Sequence, residues 1–153
     1  MHVQADRRVG RHRRRGRTSG QAVVEFALVI PIFLFILWGI IDFGFALYSR
    51  MSVINAAREG ARAASVATDP SAIPVIVPNT VRASGAGLVL SDISVTVTCK
   101  PVVSASCNFA AAANSKPGDA AIVTVDYPYH TMFPLLFGAT MNLSSTVQMT
   151  LEY

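Results

Sequence analysis

Ala22-Val-Val-Glu25-Phe-Ala-Leu-Val-Ile-Pro31-Ile-Phe-Leu-Phe-Ile-Leu-Trp-Gly-Ile-Ile-Asp42-Phe-Gly-Phe-Ala-Leu47 runs for 26 residues with only two charged side chains, Glu25 and Asp42. As a helix the run is about 39 Å long, whereas about 20 residues suffice to cross the hydrocarbon core of a bilayer. A cleaved secretory signal has an apolar stretch of roughly 7–15 residues and a small-residue cleavage site close behind it. This run is too long for that, and it reads as a retained, single-span membrane anchor. Hydrophobic residues make up 52% of the 153-residue chain and charged residues 14%, and much of the apolar excess lies in this one stretch. Such a composition is too apolar for an ordinary soluble domain.

Charge is also distributed unevenly. The first 20 residues hold seven arginines (Arg7, Arg8, Arg11, Arg13, Arg14, Arg15 and Arg17) and one aspartate, a net charge of +6. The remaining positions hold six basic and eight acidic side chains, a net charge of −2. A basic cluster directly before a membrane-length span keeps that end in the cytoplasm. The chain is therefore expected to have its N-terminus inside and its C-terminus outside. Thr18-Ser19-Gly20 follows the arginines where a twin-arginine signal would continue with apolar residues. Nucleic-acid binding is not expected, because the sequence has no basic stripe, zinc-finger spacing or aromatic platform.

A charge at the bilayer centre costs a few kcal/mol on insertion scales. Asp42, near the far end, either sits at the interface or faces another helix. Glu25, near the start, either snorkels to the headgroups or has a specific partner. Its neighbours suggest one. Gly20 closes the basic leader, so a cut between Gly20 and Gln21 would make Glu25 the fifth residue of the mature chain. A basic leader, a Gly before the cut and a Glu at the fifth place ahead of an apolar helix make up the type IV prepilin arrangement. Cleavage would create an ammonium on Gln21 at the inner face of the membrane. A carboxylate one helical turn away neutralises it in its own subunit or in a neighbour.

Three blocks carry a more specific resemblance: Gly20-Gln-Ala-Val-Val-Glu-Phe-Ala-Leu-Val-Ile-Pro31, Gly39-Ile-Ile-Asp-Phe-Gly44 and Ala56-Ala-Arg-Glu-Gly-Ala-Arg-Ala-Ala64. In this order and spacing they resemble the TadE-like proteins of bacterial tight-adherence (Tad) pilus and secretion systems. The resemblance implies a minor pilin or pseudopilin, placed in the inner membrane before assembly. It also implies processing by a prepilin peptidase, and other pilins and the inner-membrane assembly platform as partners. Glu25-Phe26 stands where the short major pilins of this system carry Glu-Tyr. The chain is longer than those pilins and too short for the extra domain of the TadG-like relatives. Pro31 is either a tolerated membrane proline or a bend that lets helices pack in a filament. Gly39 and Gly44 add close-approach sites.

Beyond Tyr48 the Ala-rich stretch extends the helix to about Thr68-Asp69-Pro70. Ala56, Gly60 and Ala64 recur every four residues and form one small-residue ridge. This is either part of an ordinary surface helix or a seam against another subunit or the domain's own sheet. Pro70, Pro74 and Pro78 then argue against a long helix, leaving 79–84 as a short one capped by Asn79. Period-2 alternation marks strands at 93–99, 123–127 and 146–153. Met132-Phe-Pro-Leu-Leu-Phe137 either caps the core or grazes the membrane. Cys99 and Cys107 both lie outside the membrane on this topology and are expected to form a disulfide, the alternative being two buried thiols. The bridge would contribute about 2.5 kcal/mol on the chain-entropy model.

The expected fold is α+β, with a long N-terminal transmembrane helix followed by a small antiparallel sheet. The expected segments are a leader at 1–20, a membrane helix at 21–48, its extension at 49–68 and an extracytoplasmic domain at 69–153. No catalytic constellation, metal-ligand spacing or cofactor motif occurs; His2 and His12 lie in the leader, and His130 reads as a surface or turn residue. A structural assembly role is therefore expected rather than an enzyme. The competing reading is a membrane-tethered binding module that is never processed or taken into a filament. Loss of assembly on Glu25→Ala, with insertion intact, separates the two.

Overall fold

The computed structural model describes residues 18–109, 115–134 and 138–152. The arginine leader, with His2 and His12, lies outside these residues, as do Leu135, Leu136, Phe137 and Tyr153. The chain divides into two compact units, 1–38 and 39–153. The first contains the beginning of α1, a helix that spans Thr18–Ser65. From Gly20 to Trp38 every residue except Ile30 is exposed, with Val23, Phe26, Leu28, Phe33 and Ile36 among them. A helix apolar on all sides is not at home in water. This one is long and apolar enough to cross a membrane. Pro31 lies within it.

In the second unit, residues 39–65 of α1 bury one face. Asp42, Ala46, Ser49, Val53, Ala56, Ala57, Gly60, Ala61 and Ala64 are all buried. Their three- and four-residue spacing is that of a single helical stripe. The helix ends at Ser65, slightly before the expected Thr68-Asp69-Pro70, and Glu152 N donates to the freed Ser65 carbonyl at 3.0 Å. A 3₁₀ turn follows at Pro70–Ala72, where Ser71 N donates to the Asp69 side chain at 2.9 Å.

The next helix, α2, spans Ile73–Ser84 and corrects the proline argument. Pro74 sits in its first turn, where the missing N–H has no partner to lose. Pro78 lies inside the helix and leaves one carbonyl without its usual donor. Ile73, Val77 and Val81 recur at four-residue spacing and are wholly buried, and the burial of this stripe outweighs the lost bond. Asn79 lies within the helix, so it is not a cap.

Three antiparallel strands complete the unit in the order β1-β2-β3: β1 Ser94–Lys100, β2 Ala120–His130 and β3 Thr140–Thr150. Val97, Val123 and Val147 share one row, as do Thr96, Thr124 and Thr146 on the opposite face. The valine face joins the core with α1 and α2. Each strand overlaps one expected segment; β2 is longer at both ends, and β3 begins six residues earlier than expected and ends at Thr150 rather than running on. β2 runs through Pro128, beyond its last pair with β1 (Ser94 with Asp126), so that stretch has a strand partner on one side only. Proline is tolerated in such an edge-like setting. The α+β architecture is as expected, a long apolar helix followed by a small antiparallel sheet.

Candidate functional site

The N-terminal group of predicted residues lies in the first unit. Gly20 and Gln21 fall near the start of α1, where helix ends fray most readily. Gly20, Gln21, Val24, Glu25, Leu28 and Val29 line a shallow open groove along the helix. Glu25 is exposed among apolar neighbours, with Phe26 beside it. A lone carboxylate in that setting is costly once lipid replaces water, and an amine one turn away relieves the cost.

Asp42 has a partner that its sequence context does not reveal. Only 2% of its surface is exposed. Its Oδ1 accepts from the Tyr129 hydroxyl at 2.8 Å and from Met132 N at 3.2 Å, and its Oδ2 accepts from Phe133 N at 3.3 Å. The Tyr129 hydroxyl also lies 3.3 Å from the Asp42 carbonyl. The carboxylate therefore holds the end of β2 and the turn after it against α1. Burial, reinforced by the hydrogen bond and charge of Asp42, pushes the Tyr129 phenol up to about 12. One sequence cue was available: Asp42 continues the stripe of Ala46, Ser49 and Val53.

The small-residue ridge faces inward. A Cβ at Gly60 would lie 2.5 Å from Val81 Cγ2, 3.3 Å from Val77 Cγ1 and 3.5 Å from Val123 Cγ1. Ala56 and Ala64 are wholly buried on either side of it. The ridge thus packs on α2 and β2 of its own domain. Gly39 and Gly44 have open space where a Cβ would stand. Farther along, Ser52 Oγ donates to the Ala86 carbonyl at 2.7 Å. At Gly87, with φ +75°, a Cβ would meet the Tyr48 ring at 2.7 Å.

Cys99, near the end of β1, and Cys107, in the β1–β2 connection, have Cα atoms 5.5 Å apart, and their sulfurs are joined. Asp119, another residue not anticipated from sequence, is fully buried. Its Oδ1 accepts from Val102 N, Val103 N and Ser104 N, at 2.9, 2.9 and 3.1 Å. Its Oδ2 accepts from Ser104 Oγ at 2.5 Å and Lys116 N at 3.0 Å. The Ser104 hydroxyl, with the amides behind it, holds this carboxyl well below the usual carboxylate range. Among the described residues no group of three or more His, Cys, Asp or Glu side chains is placed to hold a metal ion. The geometry supports anchoring and packing.

Residues 20–62 match the family model for TadE-like protein. Over that stretch the chain is similar to the TadE-like proteins. No curated protein and no solved structure matches the chain significantly. The matched stretch holds the exposed apolar segment, Glu25, Asp42 and Gly60, whereas the sheet lies beyond it. The match likens this stretch to proteins of the tight-adherence pilus system, and the helix that carries it is long and apolar enough to cross a membrane. The family is a structural, non-enzymatic one.

Proposed function

We propose that this TadE-like chain is a minor pilin, or pseudopilin, with a structural role in initiating or building a tight-adherence pilus. The observation that carries the reading is the exposed apolar stretch of α1 that holds Glu25 five places after Gly20, inside the matched stretch. α1 spans the inner membrane once, with the arginine leader in the cytoplasm and the sheet domain outside. The prepilin peptidase hydrolyses the Gly20-Gln21 peptide bond. The ammonium released on Gln21 then pairs with Glu25 of the same or a neighbouring subunit, giving register as α1 docks among other pilins on the inner-membrane assembly platform. Phe26 and the Pro31 segment supply apolar surface and a break in the backbone ladder for that packing.

The test is the intact mass of the protein extracted from membranes of cells with and without the cognate prepilin peptidase. Peptidase-dependent loss of residues 1–20 is expected. An uncut chain in both strains would overturn the prepilin reading and leave a permanently tethered accessory protein. Glu25→Ala should insert normally and fail to assemble.

A further inference from the structure

We propose that β3 is a self-pairing edge, through which two copies of this chain join antiparallel about a two-fold axis at Ser145. The inference goes beyond the pilin reading and does not depend on it.

The two edges of the sheet differ. β1 has seven residues, ends in Lys100 with Pro101 behind it, and is tied at Cys99 to Cys107 by the disulfide. Short length, a lysine and a proline are the usual guards of an exposed edge. β3 has 11 residues, Thr140–Thr150, with no charged side chain, proline or glycine among them. Among the described residues it pairs with β2 alone, so every second residue turns its N–H and carbonyl away from the sheet. Another extended backbone is the partner that supplies those bonds along the whole edge.

The sequence of β3 says which backbone. Thr140-Met-Asn-Leu-Ser-Ser145-Thr-Val-Gln-Met-Thr150 reads alike in both directions about Ser145. Laid antiparallel on itself, it sets threonine against threonine at each end and methionine against methionine next to them. Asn142 then meets Gln148, Leu143 meets Val147, Ser144 meets Thr146, and Ser145 meets its own copy. The even positions lie on the exposed face of the sheet, and there every pair joins hydroxyl to hydroxyl or amide to amide. The odd positions lie on the core side, where apart from Ser145 every pair is apolar. Cross-strand pairs of these kinds are favourable, and no like charges come opposite one another. A surface complementary to itself is what a two-fold contact requires. The axis stands normal to the sheet, so the two sheets merge into one of six strands with both faces continuous.

The two-fold also reverses α1. Leu151 N donates to the Asp119 carbonyl, just before β2, and Glu152 N to the Ser65 carbonyl, whereas Tyr129 near the other end of β2 reaches Asp42. β2 therefore runs beside α1, and paired copies carry residues 39–65 of α1 in opposite directions. With α1 in a membrane, such copies belong to separate membranes or assemblies. They are not the like-oriented neighbours of the subunit register proposed above.

Cysteine crosslinking and sedimentation of the detergent-solubilised full chain test this, with Cys99 and Cys107 left in their bridge. Ser145→Cys should give a disulfide-linked dimer on mild oxidation, because opposed Cα atoms of an antiparallel pair lie about 4.5–5.5 Å apart, within disulfide range. Thr140→Cys mixed with Thr150→Cys should link. Neither should link to itself, since like residues would stand about 34 Å apart. In sedimentation the unmodified chain should dimerise. Ser144→Lys/Thr146→Lys sets lysine against lysine at two places and should leave a monomer. Ser144→Lys/Thr146→Glu sets lysine against glutamate and should restore the dimer. Both positions are exposed, and that rescue separates a lost contact from a lost fold. Linkage of Thr140→Cys to itself would mean a parallel contact and would overturn the proposal. A chain that stays monomeric, or a dimer indifferent to the charge variants, would overturn it equally.

Discussion

Replacing Gly60 by alanine is expected to destabilise the domain, and the geometry says why. The new Cβ would stand 2.5 Å from Val81 Cγ2. Carbon atoms prefer a separation of about 3.5–4.0 Å, so roughly 1 Å must be recovered by displacement. Val81, Val77 and Val123 are all wholly buried, and a helical valine has little rotamer freedom with which to yield. Overpacking of this kind costs about 1–3 kcal/mol, while alanine gains up to about 1 kcal/mol of helix propensity over glycine. The net expectation is a loss of about 1 kcal/mol. Val81→Ala removes the clashing methyl. In that background Gly60→Ala should therefore change sign and stabilise by about 0.5–1 kcal/mol, its propensity gain alone. The assay is denaturant unfolding of the detergent-solubilised full chain, followed by tyrosine near-ultraviolet circular dichroism for the four members of the cycle. Independent sites add to within about 0.5 kcal/mol, so a coupling no larger than that would refute the packing argument. Gly60→Leu should exceed what the seam can absorb and prevent folding of the domain.

Asp42→Ala should cost about 3–5 kcal/mol, because it strands the Tyr129 hydroxyl and two backbone amides, whereas Tyr129→Phe should cost only about 1–2 kcal/mol. Hydrogen exchange at Met132 and Phe133 should accelerate strongly in the first variant and little in the second. Asp119 has a folded pKa depressed below that of an unfolded aspartate, so its stabilising effect is present above about pH 4 and is lost as pH falls through the folded value. Unfolding midpoints measured against pH should show this acid-side loss in the wild type and a shallower one in Asp119→Asn, which should also be less stable at neutral pH. Thiol labelling under non-reducing conditions should leave Cys99 and Cys107 unmodified; full labelling of both would reject the bridge, and Cys99→Ser should cost about 2.5 kcal/mol.

Local pattern alone determined much of this protein. A long apolar run with only two charges marks a membrane-length helix without reference to the rest of the chain, and Glu25 stands out because its neighbours within the run are apolar. Period-2 alternation in 93–99, 123–127 and 146–153 located all three strands, since one buried face dictates every second residue. The Ala56, Gly60, Ala64 repeat announced a close approach, but not what approaches. That Val81, Val77 and Val123 fill the seam follows from how α2 and β2 fold back on α1. Tertiary burial also decided α2. Three prolines argue against a helix by local rules, and the inward stripe of Ile73, Val77 and Val81 overrides them. The largest gap between sequence and structure lies at the two buried carboxylates. Asp42 and Tyr129 are 87 residues apart and Asp119 and Val102 are 17 apart. Nothing local in the sequence marks either pairing. A carboxylate in the chain announces only that it needs donors, and which donors reach it depends on the tertiary contacts that bring distant backbone amides and hydroxyls to its oxygens.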